Sequence, residues 1–555
     1  MRRKALILLT GLLSVCACDR QEPVYPSPSP AGPDSPEQEW QWPEGSTLVG
    51  TVTSGGRALR DVVVSDGYLV TKTDSLGRWS LYSEKRHGYV FLSIPSGYEV
   101  PSEGVLPQFY AYVGSSDRDT VDFVLTPADQ SRFSVYLLGD EHLADKRRDL
   151  VQFEDFAKDL NATRQGRSGF ALTLGDMSWD AYWSGFDLED YLALMNRKFG
   201  GLQIFHTIGN HDHELGKAGD WDTAVRYKEV LGPTYYSFNA GGVHFVVLDD
   251  ILCRNTLDGT RSSWNEVDDD QMVWLRKDLS YVPKDTPVVV AMHAPLYSSS
   301  GGFYLYNGLN LVKCFSDFQE VYFFTGHTHV CYNTDYQGRS GYVPVFESNC
   351  GAVCGCWWYT VYDFPNEKVH ICSDGAPGGY KVLEVEDGSL SWYYKGTGRD
   401  ASYQFRTYDR NSICLSADKY VPDATSANRK GYEALVADYL KPSSENIVIL
   451  NVWDYDPKWT ISVTEQGREL SVRQLEDRRD PLFLSSFEAY SFNHGYTTEY
   501  TSGVLSSYYP SSVTRHLFEV RASSPSSTLE IKVTDRFGRT FTESMSRPKP
   551  FRLEY

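Results

Sequence analysis

The sequence is poor in basic residues for its length. Its 555 residues include 53 Lys and Arg against 73 Asp and Glu, which gives a formal net charge of -20 at pH 7. An excess of negative charge repels polyanions over long range. We therefore expect no nucleic acid polymer as a partner, although a local cation site could still attract a single phosphate ester.

An apolar run of membrane-spanning length is also missing at the N-terminus. The stretch MRRKALILLTGLLSVCAC has a basic start, a short apolar run and small residues before a cysteine. This pattern predicts a secretory signal peptide over residues 1–17 rather than a membrane span. Cys18, which follows Ala17, resembles the lipid-bearing cysteine of a bacterial lipoprotein. Ordinary signal cleavage nearby is the alternative, and Cys16 is a competing but poorer site for lipidation.

Paired CxxC motifs of the zinc-ribbon kind are absent as well. The cysteines beyond the signal region stand at positions 253, 314, 331, 350, 354, 356, 372 and 414. In an exported chain their even number permits disulfides without proving any pair. The spacing of Cys350, Cys354 and Cys356 favours buried thiols or one disulfide over a thiol metal site.

The length and the composition indicate several domains. A hydrophobic content of 41% over 555 residues is enough for more than one core. Residues 18–46 are rich in Pro and Ser and predict an extended tether. Residues 47–128 alternate short strands with Gly and Asp turns, which predicts a small β-sandwich. Its run VTKTDSLGRWSL resembles prealbumin-like modules.

The central part of the chain contains a series of apolar strands that end in Asp, Asn or His. They are FSVYLLGDEH, ending in Asp140 and His142, FALTLGDMSWD with Asp176, the run before TIGNHDHE with Asn210, PVVVAMHAP with His293, and VYFFTGHTH with His327 and His329. Open α/β folds place their chemistry at the carboxyl edge of a sheet. We therefore expect these side chains to meet at one edge and to form the active site.

The residue types in this series suit two divalent ions. A carboxylate such as that of Asp176 can bridge two cations, imidazoles suit zinc, iron or manganese, and no thiolate in the series demands a softer ion. A pair of metal ions could hold a hydroxide and bind a phosphoryl group from both sides. The expected cofactors are two divalent ions, Mn, Fe or Zn.

The order GDxH, GDxxxD, GNHD, MH and GHTH resembles the calcineurin-like metallophosphoesterase superfamily, over about residues 133–372. The resemblance implies a mixed α/β fold with a four-layer αββα sandwich, two sheets packed face to face between helices. We place this catalytic domain at residues 131–395. Residues 400–555 alternate strands with Gly and Asp turns and predict a C-terminal β-rich domain.

The resemblance also implies roles for individual residues. Asp140, His142 and His329 would bind one metal ion, Asn210, His293 and His327 would bind the other, and Asp176 would bridge the two. His211 would protonate the leaving oxygen or donate to the phosphoryl oxygens, and Asp212 would orient it. Trp179 stands where the purple acid phosphatase branch has a tyrosine ligand. Since an indole cannot bind iron, this position disfavours that branch.

Further residues are candidates for contacts around the site. His213 could touch the substrate, and Asn349 and Trp357 could line the pocket, although burial is the more common fate of a tryptophan. Asp180 either accepts hydrogen bonds from the metal ligands or is a solvated loop carboxylate. Lys217, Arg226 and Arg254 could neutralise a second phosphate, or they could simply be surface charges. His206 and His244 lie within apolar strands and are interpreted as structural.

Together these patterns predict an exported, lipid-anchored enzyme of the cell envelope, on the periplasmic side or the outer-membrane surface. It would hydrolyse phosphate esters by in-line attack of a metal-bridging hydroxide. A diester or a phosphorylated glycan or lipid head group is favoured because a membrane-tethered enzyme meets such substrates. The alternatives are a phosphomonoesterase and a non-catalytic surface binding protein with a structural metal site.

Overall fold

The computed structural model describes residues 41, 43–146, 148–258, 260–339, 341, 343–358, 369–499, 505–507 and 510–553. The predicted signal peptide, the lipid-bearing Cys18 and nearly all of the tether fall outside these residues. Within the described ranges, no helix is both long enough and apolar enough to cross a bilayer.

The N-terminal region consists of short strands. They are β1 (Leu48–Ser54), β2 (Arg57–Ala58), β3 (Val63–Ser65), β4 (Val70–Lys72), β5 (Arg78–Leu81), β6 (Tyr89–Ser93), β7 (Tyr98–Glu99), β8 (Ser102–Glu103), β9 (Leu106–Pro107), β10 (Tyr110–Tyr112), β11 (Asp119–Thr120) and β12 (Phe123–Pro127). One sheet has the order β11-β1-β12-β7, with β2 and β5 also paired to β1, and a second has the order β10-β6-β3-β4. Trp79 and Phe123 from the first sheet share a buried cluster with Phe91 from the second, so the two sheets pack on each other.

This N-terminal region is joined to the rest of the protein by direct hydrogen bonds. The Tyr235 hydroxyl donates to the carbonyl oxygen of Gly67 at 2.7 Å. The backbone N–H of Ile204 donates to the carbonyl oxygen of Val105 at 2.8 Å. The region therefore packs against the strands that follow it.

The central region alternates strands with helices. The strands are β13 (Arg132–Leu138), β14 (Gly169–Thr173), β15 (Ile204–Phe205), β16 (Tyr236–Ala240), β17 (Val243–Val247), β18 (Ile251–Cys253), β19 (Ser263–Asn265), β20 (Val288–Ala291), β21 (Val321–Thr325), β22 (Cys331–Asp335), β23 (Val345–Cys350), β24 (Gly379–Glu386) and β25 (Ser389–Gly396). The helices are α1 (Asp149–Arg164), α2 (Leu188–Lys198), α3 (Asp220–Thr223), α4 (Val225–Leu231), α5 (Asp269–Leu279) and α6 (Gly308–Lys313).

These strands form two mixed sheets. The first has the order β15-β14-β13-β24-β25. In it β13, β14 and β15 run parallel to one another, β24 is antiparallel to β13, and β25 is antiparallel to β24. The second has the order β16-β17-β20-β21-β23-β22, in which β17, β20, β21 and β23 run parallel. The rings of Phe170 and Phe245 lie 5.5 Å apart and those of Phe324 and Trp392 lie 5.7 Å apart, so the two sheets face each other.

Helices α1 and α2 cover the other side of the first sheet. The apolar residues that recur at helical spacing along α1 are buried there, among them Phe153, Phe156 and Leu160. They share a cluster with Tyr136 of β13 and with Tyr191 of α2. The apolar face of α1 is thus the face that packs on the sheet.

The C-terminal region is mainly β-structure. Its strands are β26 (Arg406–Asp409), β27 (Ile447–Asn451), β28 (Thr460–Glu465), β29 (Arg468–Leu470), β30 (Val472–Leu475), β31 (Thr497–Glu499), β32 (Leu505–Ser507), β33 (Leu517–Arg521), β34 (Leu529–Thr534) and β35 (Thr540–Met545). Two of its sheets have the orders β26-β27-β33-β30 and β29-β28-β34-β35. Leu450 and Phe518 of one share a buried cluster with Val463 and Ile531 of the other.

Short helices also occur in this region, which the strand pattern did not predict. They are α7 (Ala417–Tyr420), α8 (Ser426–Leu435), α9 (Pro481–Phe483) and α10 (Ala489–His494). Tyr432 of α8 and Phe492 of α10 pack in an apolar cluster that is separate from the cluster between the two sheets. Between residues 417 and 440 the apolar residues recur every three or four positions, which is a helical period and not the alternation of a strand.

Candidate metal centre

The chain brings the predicted ligand residues to one edge of the paired sheets. Asp140 follows β13, Asp176 follows β14 and Asn210 follows β15, all on the first sheet. His293 follows β20, and His327 follows β21, on the second sheet. Strands β13, β14 and β15 are parallel in the first sheet, and β20 and β21 are parallel in the second. Because parallel strands end on the same side, their carboxyl ends lie at the same edge of each sheet.

The backbone is strained where it presents these side chains. Positive φ angles, from 44° to 71°, occur at Asp140, His142, Asp176, His327 and His329. Residues other than glycine seldom adopt this left-handed region, and such outliers cluster at functional sites. The strain turns each side chain sharply away from its strand and into the space between the two sheet edges.

One set of donor atoms comes from the first sheet and from the end of β21. His142 Nε2 lies 3.0 Å from His329 Nε2. His329 Nε2 lies 3.3 Å from Asp140 Oδ1, and His142 Nε2 lies 3.5 Å from Asp176 Oδ2. Four predicted ligands therefore converge on one point.

A second set lies on the other side of Asp176. His293 Nε2 lies 3.2 Å from Asp176 Oδ2, the oxygen that also faces His142. His293 Nε2 is 3.0 Å from Asn210 Oδ1 and 3.1 Å from His327 Nδ1. Asp176 thus stands between the two donor sets, as a bridging carboxylate would.

Both the spacing and the ring orientation fit bound cations. Ligand atoms that share a tetrahedral ion at bonds of about 2.1 Å lie about 3.4 Å apart, close to the separations seen here. His293 Nδ1 lies 2.7 Å from the carbonyl oxygen of Leu174, and His329 Nδ1 lies 3.2 Å from that of Gly355. Each carbonyl holds the N–H on Nδ1, so the Nε2 lone pair points to the centre, as metal-binding histidines require.

The charge state of Asp176 fits the same role. Burial on its own would raise the pKa of this carboxyl group, but the facing imidazoles of His293, His211 and His142 lower the pKa well below its usual value. The carboxylate is therefore ionised and can share its negative charge between two cations.

His211 lies beside the donor sets, and its partner differs from the predicted one. Its Nδ1 lies 3.0 Å from Asp180 Oδ1. Asp212 instead accepts hydrogen bonds from the backbone N–H groups of Asp176 at 2.8 Å and of Gly209 at 2.9 Å. The prediction that Asp212 orients His211 is therefore wrong: Asp212 ties together the two ligand loops, and Asp180 orients the imidazole.

Arg261 is a residue near the centre that the sequence did not single out. Its guanidinium contacts the Asp180 carboxylate and donates to the carbonyl oxygen of Asn210 at 2.5 Å. It lies on the loop between β18 and β19, far from every motif, so no spacing rule points to it. The other basic candidates lie on the surface. Lys217 and Arg254 are exposed, and Arg226 pairs with Asp187 and Glu189.

Two tryptophans form a wall over the first donor set. The ring of Trp357 lies 4.1 Å from that of His142 and 4.6 Å from that of His329. Trp179 lies 4.9 Å from Trp357. The indole at position 179 therefore packs beside the centre, and the Trp357 ring covers the imidazoles of His142 and His329.

The other two candidates for substrate contact lie in the interior. His213 is fully buried, and its Nδ1 lies 2.9 Å from the carbonyl oxygen of Gly209. The buried Asn349 amide donates to Thr325 Oγ1 at 3.1 Å and accepts from Thr328 Oγ1 at 2.6 Å. His213 and Asn349 thus support the ligand loops from behind and do not reach an open pocket, because both side chains are fully buried and His213 Nδ1 and the Asn349 amide already bond to backbone and hydroxyl groups.

Structural roles also account for the other histidines and one strand-end carboxylate. His244 Nδ1 lies 2.9 Å from Asn239 Oδ1 and its Nε2 lies 2.9 Å from Asp278 Oδ2. His206 is buried after β15, with its ring 5.9 Å from that of Tyr191 on α2. Asp250 accepts a hydrogen bond from the backbone N–H of His293 at 3.0 Å and so fixes that ligand's strand end.

All eight cysteines of the described residues are free thiols. Cys354 Sγ lies 3.6 Å from His329 Nδ1, so a thiol does stand close to the first donor set. Burial raises the pKa of this thiol well above its ordinary value. It faces the nitrogen on the outer side of the His329 ring, and it remains protonated behind the ligand.

A mixed-sheet α/β protein with facing histidine and carboxylate donors at its sheet edge defines a metal-binding protein. The chain belongs to the calcineurin-like phosphoesterase family, as three family models together show. The calcineurin-like phosphoesterase model matches residues 133–331, the model of the N terminal of calcineurin-like phosphoesterase matches 46–128, and that of the C terminal matches 347–541.

Individual relatives are more distant. The chain is 33% identical over 213 residues to purple acid phosphatase 15 of Arabidopsis thaliana, a match that covers 36% of this chain and 35% of that protein. It is 43% identical over 76 residues to purple acid phosphatase 13 of the same plant, covering 13% of this chain and 12% of that protein. The chain therefore spans about a third or less of the length of these relatives.

Solved structures resemble it weakly. A structure of PhoD has a TM-score of 0.32 and 11% sequence identity, and the match covers 60% of this chain and 83% of that one. A likeness of this size carries no inference about substrate.

Proposed function

We propose that this chain is a metal-dependent phosphoesterase that hydrolyses small-molecule phosphate esters with two divalent ions. One observation carries the proposal: Asp176 Oδ2 lies 3.5 Å from His142 Nε2 on one side and 3.2 Å from His293 Nε2 on the other. A carboxylate between two sets of nitrogen and oxygen donors is suited to a pair of ions of the Mn, Fe or Zn type. Asp140, His142 and His329 would hold one ion, and Asn210, His293 and His327 the other.

Bound ions would supply water activation and charge neutralisation at the phosphoryl group. The chain itself supplies orientation and a proton. With its Nδ1 held by Asp180, the His211 ring keeps Nε2 free, and the protonated ring can transfer the Nε2 proton to the leaving oxygen. Arg261 holds Asp180 and the Asn210 backbone in one arrangement. Trp357 and Trp179 shield one side of the centre from water.

The substrate proposed is a phosphodiester or a phosphorylated glycan or lipid head group. Phosphomonoester hydrolysis is the second candidate, and the two relatives, both purple acid phosphatases, favour it. A binding protein with a structural metal site is the third candidate. All seven positions for metal ligands are filled by residues able to bind metal, which supports a catalytic site.

The proposal also includes the setting of the enzyme. The catalytic unit at residues 131–395 would be a four-layer αββα sandwich, flanked by β-domains at 47–128 and 400–555. Export by the N-terminal signal and a lipid on Cys18 would place the enzyme in the cell envelope.

Metal analysis joined to ester hydrolysis tests the proposal. We expect two equivalents of metal per chain by plasma mass spectrometry, and hydrolysis of p-nitrophenyl phosphate or its bis-ester that disappears on chelation and returns with Mn or Zn. Asp176→Asn should lose both metal and turnover, whereas Asp285→Asn, an exposed carboxylate, should keep both. Full metal occupancy without hydrolysis of any ester would favour the binding protein instead.

A further inference from the structure

A cavity of about 640 Å³ lies beside the metal centre, between the central and the C-terminal regions. Thr328, which separates the ligands His327 and His329, contributes to its lining, and so does Tyr304. The ring of Tyr304 lies 6.1 Å from that of His327. The cavity therefore lies next to the second donor set.

Both regions of the protein build this cavity. The loop after His293 supplies Ser298 and Tyr304, β22 supplies Tyr332 and Thr334, and the C-terminal region supplies Tyr455 and Val513. The volume falls within the usual range for small-molecule sites and is far larger than a single phosphate group needs. Something other than the phosphoryl group fits there.

The floor of the cavity is fixed by a buried network that crosses between the regions. Asp374 Oδ2 accepts from the backbone N–H of Cys331 at 2.6 Å and lies 3.1 Å from His516 Nε2. His516 Nδ1 lies 2.7 Å from Asn451 Oδ1, and Asp374 and His516 are almost fully buried. Because these groups are already paired, the cavity is preformed and a ligand does not have to order it.

The chemistry of the lining indicates the class of ligand. Nearly half of the lining residues are serine, threonine or tyrosine, and exposed charged residues of both signs, such as Arg515 and Glu476, also line the cavity. Mixed charge disfavours a polyanion, and the polar walls disfavour an acyl chain. Aromatic rings together with many hydroxyl groups suit a polyhydroxylated ligand, whose C–H faces pack on rings while its hydroxyls form hydrogen bonds.

We propose that this cavity binds the polyhydroxylated part of a phosphate ester, a sugar or a polyol, while the phosphoryl group lies at the metal centre. The inference rests on the proposed function and makes the C-terminal region a determinant of specificity. A glycan phosphate and the polyol phosphate of a lipid head group share this chemistry, and the experiment below separates them.

The test fills the cavity from its rim. Val513 is 44% exposed and is not part of the metal centre, so Val513→Trp should occupy the cavity without disturbing the core. Val124→Trp, at an exposed valine of β12 that is 60% accessible, is the matched control. The metal-loaded proteins are assayed with p-nitrophenyl phosphate, trehalose 6-phosphate as the glycan arm, and glycerophosphoinositol as the lipid head-group arm.

We expect Val513→Trp to lower kcat/KM at least 10-fold for one polyol ester and less than 2-fold for p-nitrophenyl phosphate, with Val124→Trp unchanged on both. The polyol ester whose hydrolysis Val513→Trp slows shows whether the ligand is a glycan phosphate or the polyol phosphate of a lipid head group. An equal effect on all esters, or wild-type protein that cleaves p-nitrophenyl phosphate but neither polyol ester, would overturn the inference and leave the proposed function standing.

A binding measurement separates the two proposals when no ester is hydrolysed. Saturation-transfer NMR with trehalose and with myo-inositol should give, for at least one of the two, a signal with the wild type that Val513→Trp removes and Val124→Trp retains. No signal of the wild type with either compound, or a signal that survives Val513→Trp, contradicts the cavity assignment whatever the activity. Should Val513→Trp fail to fold, Arg515→Ala, a truncation of an exposed side chain at the rim, replaces it in both measurements.

Discussion

Asp180 Oδ1 lies 3.0 Å from His211 Nδ1, and this contact assigns the orientation of the imidazole to a residue outside the GNHD motif. Asp180 is almost fully buried and also contacts the Arg261 guanidinium. Because its carboxylate accepts the Nδ1 proton, the other ring nitrogen is free to face a substrate. The side chains of Arg261, Asp180 and His211 are therefore connected in series and form one unit.

Removing the imidazole should slow catalysis without emptying the centre. We expect His211→Ala to lower kcat by about 10²- to 10⁴-fold, the usual contribution of a positioned acid or base. The metal content should remain at the wild-type level, because His211 lies beside the donor sets. Steady-state kinetics with metal analysis of the same sample decides the matter, and unchanged turnover would remove His211 from the mechanism.

Asp180→Asn should act through His211. Partners of this kind usually contribute about 10- to 100-fold, so a loss of that size in kcat is expected. The double variant Asp180→Asn/His211→Ala should be no slower than His211→Ala alone, because residues that act as one unit are not additive. Losses that multiply in the double variant would show that Asp180 acts elsewhere.

Arg261→Lys tests whether the fork of the guanidinium matters or only its charge. An arginine can reach the Asp180 carboxylate and the Asn210 carbonyl together, whereas an ammonium is a single point charge. We expect kcat/KM to fall about 10-fold at unchanged metal content. Arg254→Lys, on the same loop and packed on Trp264, should stay near the wild type; equal losses in both variants would indicate a general effect on the loop.

Much of this centre could be predicted from the sequence because it depends on local rules. Each ligand directly follows an apolar strand, and parallel strands necessarily bring such ends together. Asp180 and Arg261 could not be assigned in this way. Asp180 ends the GDxxxD motif at the start of a short helical turn, and Arg261 lies on a long loop, so their contact depends on how the loops pack and not on any spacing along the chain.

The interior positions show the same limit. His213 and Asn349 stand beside motif residues in sequence, and proximity in sequence predicted proximity to the substrate. In the fold, His213 Nδ1 faces the carbonyl oxygen of Gly209, and Asn349, on β23, pairs with Thr325 at the end of the neighbouring strand β21. A strand pattern indicates which residues reach an edge, but not which way the chain turns after it.

The stability of the protein should fall in acid partly through His206. Burial lowers the pKa of this imidazole to about 3, against 6.5 for the exposed group. A histidine with a lowered folded-state pKa makes its full contribution to the free energy of unfolding above pH 6.5, and this contribution is lost as the pH falls towards 3. At pH 4.5 the free energy of unfolding is lower by roughly 2 to 3 kcal/mol for this reason.

His206→Phe should therefore flatten the acid side of the stability curve. Urea unfolding at pH 7.5 and at pH 4.5, with chelator present so that metal loss does not contribute, measures the difference. The gap between the two pH values should shrink by roughly 2 kcal/mol relative to the wild type. The same substitution at the exposed His494 is the control, and an equal change there would disprove the assignment to His206.

The last prediction concerns the junction that supports the cavity. Lys381 of β24 and Asp454 of the C-terminal region form an ion pair at 2.6 Å with both side chains almost fully buried. Removing one member of a buried pair leaves an uncompensated charge and costs about 3 to 5 kcal/mol.

Asp454→Ala should therefore destabilise the protein by that amount in urea unfolding, whereas Lys381→Met/Asp454→Leu should recover most of the loss, since no charge then remains buried. Lys458→Met removes an exposed lysine from Asp335, whose carboxylate stays paired with Arg536, and should cost less than about 1 kcal/mol. A double variant as unstable as Asp454→Ala would mean that the junction depends on the shape of these side chains and not on their charges.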